Sequence, residues 1–192
     1  MLFSDAIYNK LNRQTEDKVV VLPHLPVSTD TDVVWQITLQ AEKQLANDIL
    51  LCPVLPFGSS HHHLSFGGTL SVFIATYTQL VIELAESLLQ GGFRRIVLLN
   101  GHGGNVTPVK QTLAILSNKY DASLTPNIAL VTYWELAGKI FSGAPPMESS
   151  ALSHACEYET SLILHLFPEK VFADQIKRAK RPDSNGFILW EG

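Results

Sequence analysis

Long apolar runs are missing from this 192-residue chain. No stretch approaches the ~18 consecutive apolar residues of a membrane span. The opening Met1-Leu2-Phe3-Ser4-Asp5 lacks the basic segment and apolar core of a secretory leader. Cysteine is nearly absent too. Cys52 and Cys156 form neither a CxxC pair nor a disulfide framework, so a soluble protein of the reducing cytoplasm is expected. Basic charge is scarce as well: 14 Lys and Arg stand against 18 Asp and Glu, for a net charge of −4, which leaves no electrostatic footprint for nucleic acid. The one short basic cluster, Lys177-Arg178-Ala179-Lys180-Arg181, reads as a solvated helix end or loop. Neither an internal repeat nor a low-complexity tract occurs.

What the chain does have is core-forming material. At 46% hydrophobic and 17% charged, it suits one compact domain over residues 1–192. Strand and helix patterns alternate along it. Lys18 to Leu22 is a β-branched run ending at Pro23, and Asp48 to Leu55 is a second apolar run read as a strand. Asp32 to Asn47 between them has helical composition. Thr69 to Leu89 is apolar at helical spacing through Phe73, Tyr77, Leu80, Val81, Leu84 and Leu88, and Gly91-Gly92 stops it. Strand Arg95 to Leu99, helix Val106 to Tyr120, strand Asn127 to Tyr133 and helix Ser150 to Phe167 follow, with Pro168 closing the last. Gly143 to Ser149 is too rich in proline and small residues for an element and reads as a loop or lid. The series predicts an α/β fold with a mostly parallel sheet and right-handed crossovers.

The most informative segment is Asn100-Gly101-His102-Gly103-Gly104-Asn105. It follows a strand apolar on both faces and precedes a helix for which Thr107-Pro108 supply a capping oxygen and a first-turn proline. A histidine is thereby set at the C-terminal end of a strand, where open α/β sheets bind ligands. The alternative is an ordinary βα turn with an incidental histidine.

Three further segments carry chemistry: His24 to Asp32, Gly58 to Thr69, and His154 to Ser161. With the central turn they hold six of the seven histidines. Histidine, aspartate and glutamate are ligands for zinc, manganese or iron, and no cysteine spacing suggests a structural zinc site. A catalytic ion lowers the pKa of bound water to about 7 and polarises a carbonyl, so an amide can be attacked without a nucleophilic side chain. Other readings stay open at single positions. Asp30 and Asp32 could cap the following helix, and Glu157 reads as solvated or salt-bridged. Of His61-His62-His63, one functional member is expected, because consecutive residues point different ways. His154 and Glu159 would lie roughly 140° apart on a regular helix, which sets His154 at or before its start.

Together the four segments resemble the creatininase family of metal-dependent amidohydrolases, over roughly residues 18 to 171. The family's Pro-His-Leu-Pro-x-x-x-Asp run is matched from Pro23 to Asp30, and its Gly-x-Ser-x-x-His-x-x-Phe-x-Gly-Thr pattern from Gly58 to Thr69. Its Asn-Gly-His-Gly-Gly-Asn turn is matched from Asn100 to Asn105. Its His-Ala-Gly-x-x-Glu-Thr-Ser run is matched from His154 to Ser161, with Cys156 for the glycine. The resemblance implies a three-layer α/β/α sandwich and one or two divalent ions, zinc, manganese or iron. It implies Asp30, His102 and Glu159 as metal ligands, and His154 with Glu159 as catalytic residues, His154 shuttling protons. His24, His63, Gly103, Gly104 and Asn105 become substrate-contacting or ligand-orienting positions. The implied substrate is a small cyclic or formylated amide, hydrolysed at a C–N bond. No nucleic-acid or membrane partner is implied, and self-association, as in the family's homohexamers, is expected.

Departures from the pattern are equally specific. Val20-Val21-Leu22-Pro23-His24 runs straight through where the family inserts a glutamate and a histidine ligand. A catalytically degenerate binding or assembly subunit is therefore the alternative function, and a loop omitted from the sequence is the alternative cause. Gly104 stands where creatininases proper carry a glutamate ligand, and Ser150 where their substrate-gating tryptophan falls, which argues against creatinine itself. Family members run longer, so a truncated C-terminus is also expected.

Overall fold

The computed structural model describes residues 25, 27–45, 48–64, 69–120, 127–138, 156–172 and 176. Within them the elements are α1 (Thr29–Leu45), α2 (Ile74–Gln90), β1 (Arg95–Asn100), α3 (Val106–Lys119), β2 (Asn127–Thr132), the short α4 (Tyr133–Leu136) and α5 (Glu157–Leu166). The runs Lys18–Leu22 and Gly143–Ser149, the cluster Lys177–Arg181, and both His24 and His154 lie outside the described residues.

β1 and β2 pair in parallel, with Arg95 opposite Asn127 and Asn100 opposite Thr132. Side chains alternate across such a pair, so neighbouring leucines of β1 serve different layers. Leu98 packs with Leu130 against Tyr77, Val81 and Val109 of α2 and α3. Leu99 joins Val33, Val34, Tyr133 and Ile163 of α1, α4 and α5. Helices thus pack on either side of the strands, in keeping with the three-layer α/β/α arrangement that the resemblance implies. Ile163 is wholly buried. Ile163→Ala is expected to cost about 2–5 kcal/mol through lost burial and a residual cavity. Urea unfolding checks this as a lower midpoint with an unchanged slope.

Local chemistry sets the helix ends. α2 stops where Gly92 takes φ of 94°, a region open to glycine at little cost, while Nη1 of Arg94 donates to the Leu89 carbonyl at 2.8 Å. α1 begins at Thr29, three residues before the expected Asp32. Oγ of Ser28 donates to the Asp32 carboxylate at 2.8 Å, and Nζ of Lys170 reaches the same oxygen at 3.0 Å. Asp32 therefore ties α1 to the segment after α5, and the two acids of the first turn suit the helix dipole.

Several expectations are corrected. Asp48 to Leu55 forms no strand; the nearest pairing is the isolated bridge between Gly58 and Ser71. Pro53 has no N–H to give a ladder, and Leu50 is exposed. α2 starts at Ile74, and its buried face is Tyr77, Thr78, Val81, Ile82, Ala85 and Leu89, whereas Phe73, Leu80 and Leu84 face outward. The apolar residues of this helix span more than one face, so spacing alone does not select the inner one. β1 is not enclosed on both faces among the described residues, since Val97 is 68% exposed. Thr107 and Pro108 lie inside α3, which starts at Val106 with no side-chain cap. No described helix is long and apolar enough to cross a membrane.

Candidate metal centre

The C-terminal end of β1 delivers His102. Asn100, buried at the last strand position, shapes the turn: its Nδ2 donates to the His102 carbonyl at 2.8 Å, and its Oδ1 accepts from the His102 N–H at 3.2 Å. Both bonds fix the backbone of His102, and the ring is itself buried.

Each edge of that ring meets a different group. Nδ1 lies 2.8 Å from Oδ2 of Asp30. Nε2 lies 3.0 Å from Oγ of Ser60. Asp30 reaches the strand end because Gly101 has no side chain: a Cβ there would overlap Cγ2 of Val34 and approach the Asp30 carbonyl oxygen at 2.8 Å.

The loop before α2 closes the site from the other side. Oδ1 of Asn105 accepts from the Ser59 N–H at 2.9 Å, so this asparagine pins the loop and caps no helix end. A Cβ on Gly58 would collide with the Asn105 side chain. The three histidines form a 3-10 turn, His61–His63. His61 turns away, its Nδ1 2.7 Å from Oγ of Ser71 and its ring stacked on Phe73 at 4.8 Å. His62 stacks parallel to His102 at 5.5 Å, and His63 meets it edge-on at 5.6 Å. Two of the three rings thus pack on His102, among them His63, the position that the resemblance singles out. A tight turn folded over the His102 ring lets two neighbours touch it.

Of the glycines in the central turn, Gly104 is required by space and Gly103 is not. Nothing lies within 4 Å of a Cβ on Gly103. A Cβ on Gly104 would overlap the Ser59 carbonyl oxygen and sit 2.7 Å from Nε2 of His102 and 2.9 Å from Cε1 of His62. The glutamate of creatininases proper has no room here unless the Ser59 loop moves.

Glu159 lies in the first turn of α5, which Cys156 precedes in an extended conformation. Its charge is felt at Tyr133, the residue after β2. Burial raises the Tyr133 phenol well above the ordinary value of 10.0, and the charges of Glu159, Asp30 and Cys156 add to the rise. Tyr133 therefore stays neutral and able to donate a hydrogen bond past the pH at which a free tyrosine ionises. An ultraviolet titration that loses no signal at pH ~10 in Tyr133→Phe checks this. The sequence placed Tyr133 only in a strand; an aromatic residue at a strand's C-terminal end was the available signal.

A divalent cation fits this donor set. Imidazole and carboxylate groups suit zinc, manganese and iron. Among the described residues, ring donors of His62, His63 and His102 lie within 4.8 Å of one another, and a carboxylate stands at the remaining edge of His102.

Comparison with known proteins points the same way. The family model described as creatinine amidohydrolase matches residues 22–190. The mycofactocin precursor peptide peptidase of Mycolicibacterium smegmatis is 30% identical over 158 residues, 80% of this chain and 56% of that protein. The creatinine amidohydrolase of Pseudomonas putida is 28% identical over 138 residues, 66% of this chain and 53% of that protein. This chain thus spans about half the length of the curated relatives it matches. A crystal structure of creatinine amidohydrolase superposes with a TM-score of 0.64 at 24% identity, covering 77% of this chain and 61% of the other. A manganese creatininase gives 0.64 at 25% identity, covering 79% and 62%. With the motif order, the layered fold and a family match over most of its length, the chain belongs to the creatininase family.

Proposed function

We propose that this chain hydrolyses the C–N bond of a small cyclic or formylated amide with the help of a divalent cation held at His102. The observation that carries the reading is the buried His102 ring at a strand's C-terminal end, with Asp30 2.8 Å from Nδ1. Asp30 and His102 would hold the ion, and the family resemblance adds Glu159. When bound, such an ion supplies Lewis acidity to an amide carbonyl and lowers the pKa of water.

The chain's own groups do the rest. Asn100 fixes the backbone of His102, and Ser60 holds its Nε2. The neutral Tyr133 phenol, close enough to Glu159 and Asp30 to sense their charge, offers a hydrogen-bond donor to developing negative charge. By resemblance, His154 returns a proton to the leaving nitrogen. Two relatives named for amide-type substrates, a precursor peptide and creatinine, support the bond type. Cytoplasmic residence, assembly into homohexamers and a zinc, manganese or iron ion belong to the same reading.

A second reading, a non-catalytic subunit that keeps the fold, is favoured by the run Val20–His24, which lacks the family's glutamate and histidine. Assay of zinc- and manganese-loaded protein against formyl amides, cyclic amides and short peptides separates the two. Turnover of one class, lost on chelation and restored by metal, supports hydrolysis. Metal-loaded, folded protein that turns over none of them supports the subunit.

A further inference from the structure

The first turn of α1 carries two acids, Asp30 and Asp32, and they are turned to different partners. The Asp30 side chain is 38% exposed and lies 2.8 Å from the buried His102 ring. No hydrogen bond to another described residue holds its carboxylate, so its place follows from the backbone of the turn. Asp32 is met instead by Lys170, whose Nζ reaches Oδ2 at 3.0 Å, with the two side chains only 26% and 18% exposed.

The turn between these acids is stiff. The Asp32 N–H donates to the Ser28 carbonyl at 2.8 Å, and Oγ of Ser28 donates to Oδ2 of Asp32 at 2.8 Å. Asp30 sits inside this twice-closed turn, so a displacement of Asp32 carries Asp30 with it. Lys170 is itself anchored. Its N–H donates to the Phe167 carbonyl at 2.9 Å, and its ammonium lies 4.6 Å from the centre of the Phe167 ring. Phe167 in turn packs on the core residues Val33, Val34 and Ile163.

We propose that Lys170 is a positioning residue, acting through Asp32 to set the Asp30 carboxylate against His102. Lys170 touches neither member of that pair, and its role rests on reading the two as the working groups of the hydrolytic site. Charge makes the tether more than a packing contact. Lys170 neutralises one of two neighbouring carboxylates and leaves the other to His102. A largely buried carboxylate stripped of its cation must find water or another donor, which draws the first turn of α1 towards solvent. Gly101 sets the opposite limit, because a Cβ there would stand 2.8 Å from the Asp30 carbonyl oxygen. The turn already rests on the strand end, so it can yield only outward.

The test is nitrogen NMR of the His102 ring in metal-free full chain at one fixed pH, with the signals identified by their loss in His102→Ala. Asp30→Asn supplies the signature of the lost contact. Lys170→Met keeps the stem beside Phe167 and removes the charge, and it should move the His102 nitrogens most of the way to their Asp30→Asn positions. Lys170→Arg should return them to the parent positions. In a zinc titration, Lys170→Met should weaken binding by about tenfold, the low end for groups that orient metal ligands. In an Asp30→Asn background it should add no further loss. Thermal unfolding establishes that the variants fold, and Asp32→Asn tests the same tether from its other end if Lys170→Met does not. A lower unfolding midpoint with parent-like His102 nitrogens makes the pair structural only and overturns the proposal. So does an arginine that fails to restore the signals, or a zinc loss that is equal with and without Asp30. Parent-like nitrogens in Lys170→Met of a chain that hydrolyses an amide remove this proposal alone. Shifted nitrogens in a chain that takes up no zinc and hydrolyses no amide leave the positioning of Asp30 standing and remove the hydrolytic reading.

Discussion

Replacing His102 with alanine is expected to strip the chain of tightly held metal and to lower amide hydrolysis more than about a hundredfold. The ring is the one group shared by every donor arrangement among the described residues: Asp30 touches Nδ1, Ser60 touches Nε2, and His62 and His63 pack on its face and edge. Cation assistance contributes several kcal/mol to such reactions, and the loss of about 3 kcal/mol already exceeds a hundredfold in rate. The fold should persist, because the Asn100 bonds run to the backbone of residue 102 and not to its ring. Metal content, steady-state rates and circular dichroism of the variant check all three parts. A variant that keeps its metal places the centre elsewhere.

Gly101→Ala is expected to damage site and fold together. Its Cβ would overlap Cγ2 of Val34, in the buried core, and press on the Asp30 carbonyl oxygen at 2.8 Å. Overpacking of this kind costs about 1–3 kcal/mol. Here the strain falls on the first turn of α1, which carries Asp30. Relief requires that α1 move away from β1, and the Asp30–His102 contact opens with it. Thermal unfolding and zinc titration should therefore fall together. Gly103→Ala is the control, since a Cβ there meets nothing within 4 Å. Equal stability and affinity in the two variants would show that the close approach at Gly101 has no consequence.

Local chemistry made part of this legible in advance. Arg95 to Leu99 and Val106 to Tyr120 match β1 and α3 to within a residue at either end, because β-branched content and helical spacing agree there with the tertiary contacts. The run from Asp48 to Leu55 has the composition of a strand, but a strand is defined by a partner ladder, and Pro53 with an exposed Leu50 leaves none. The central turn announced itself through His102 between glycines and asparagines. The reasons for those residues became visible only in three dimensions: Gly101 admits α1, Gly104 admits the His62 ring, and Asn105 reaches across to Ser59. Tyr133 and His62 escaped the sequence reading for related causes. The phenol gains its character from its own burial and from charges on two other elements, and His62 gains its place from a turn whose shape depends on Ser71 and Phe73.

The most direct test of the central claim is the metal content per chain of protein purified without an affinity tag, read by elemental mass spectrometry. A buried imidazole with a carboxylate at one edge and two further imidazoles packed against the ring predicts zinc, manganese or iron at one or more ions per chain, absent from His102→Ala. Folded protein that carries no metal and acquires none on incubation with zinc or manganese would contradict it.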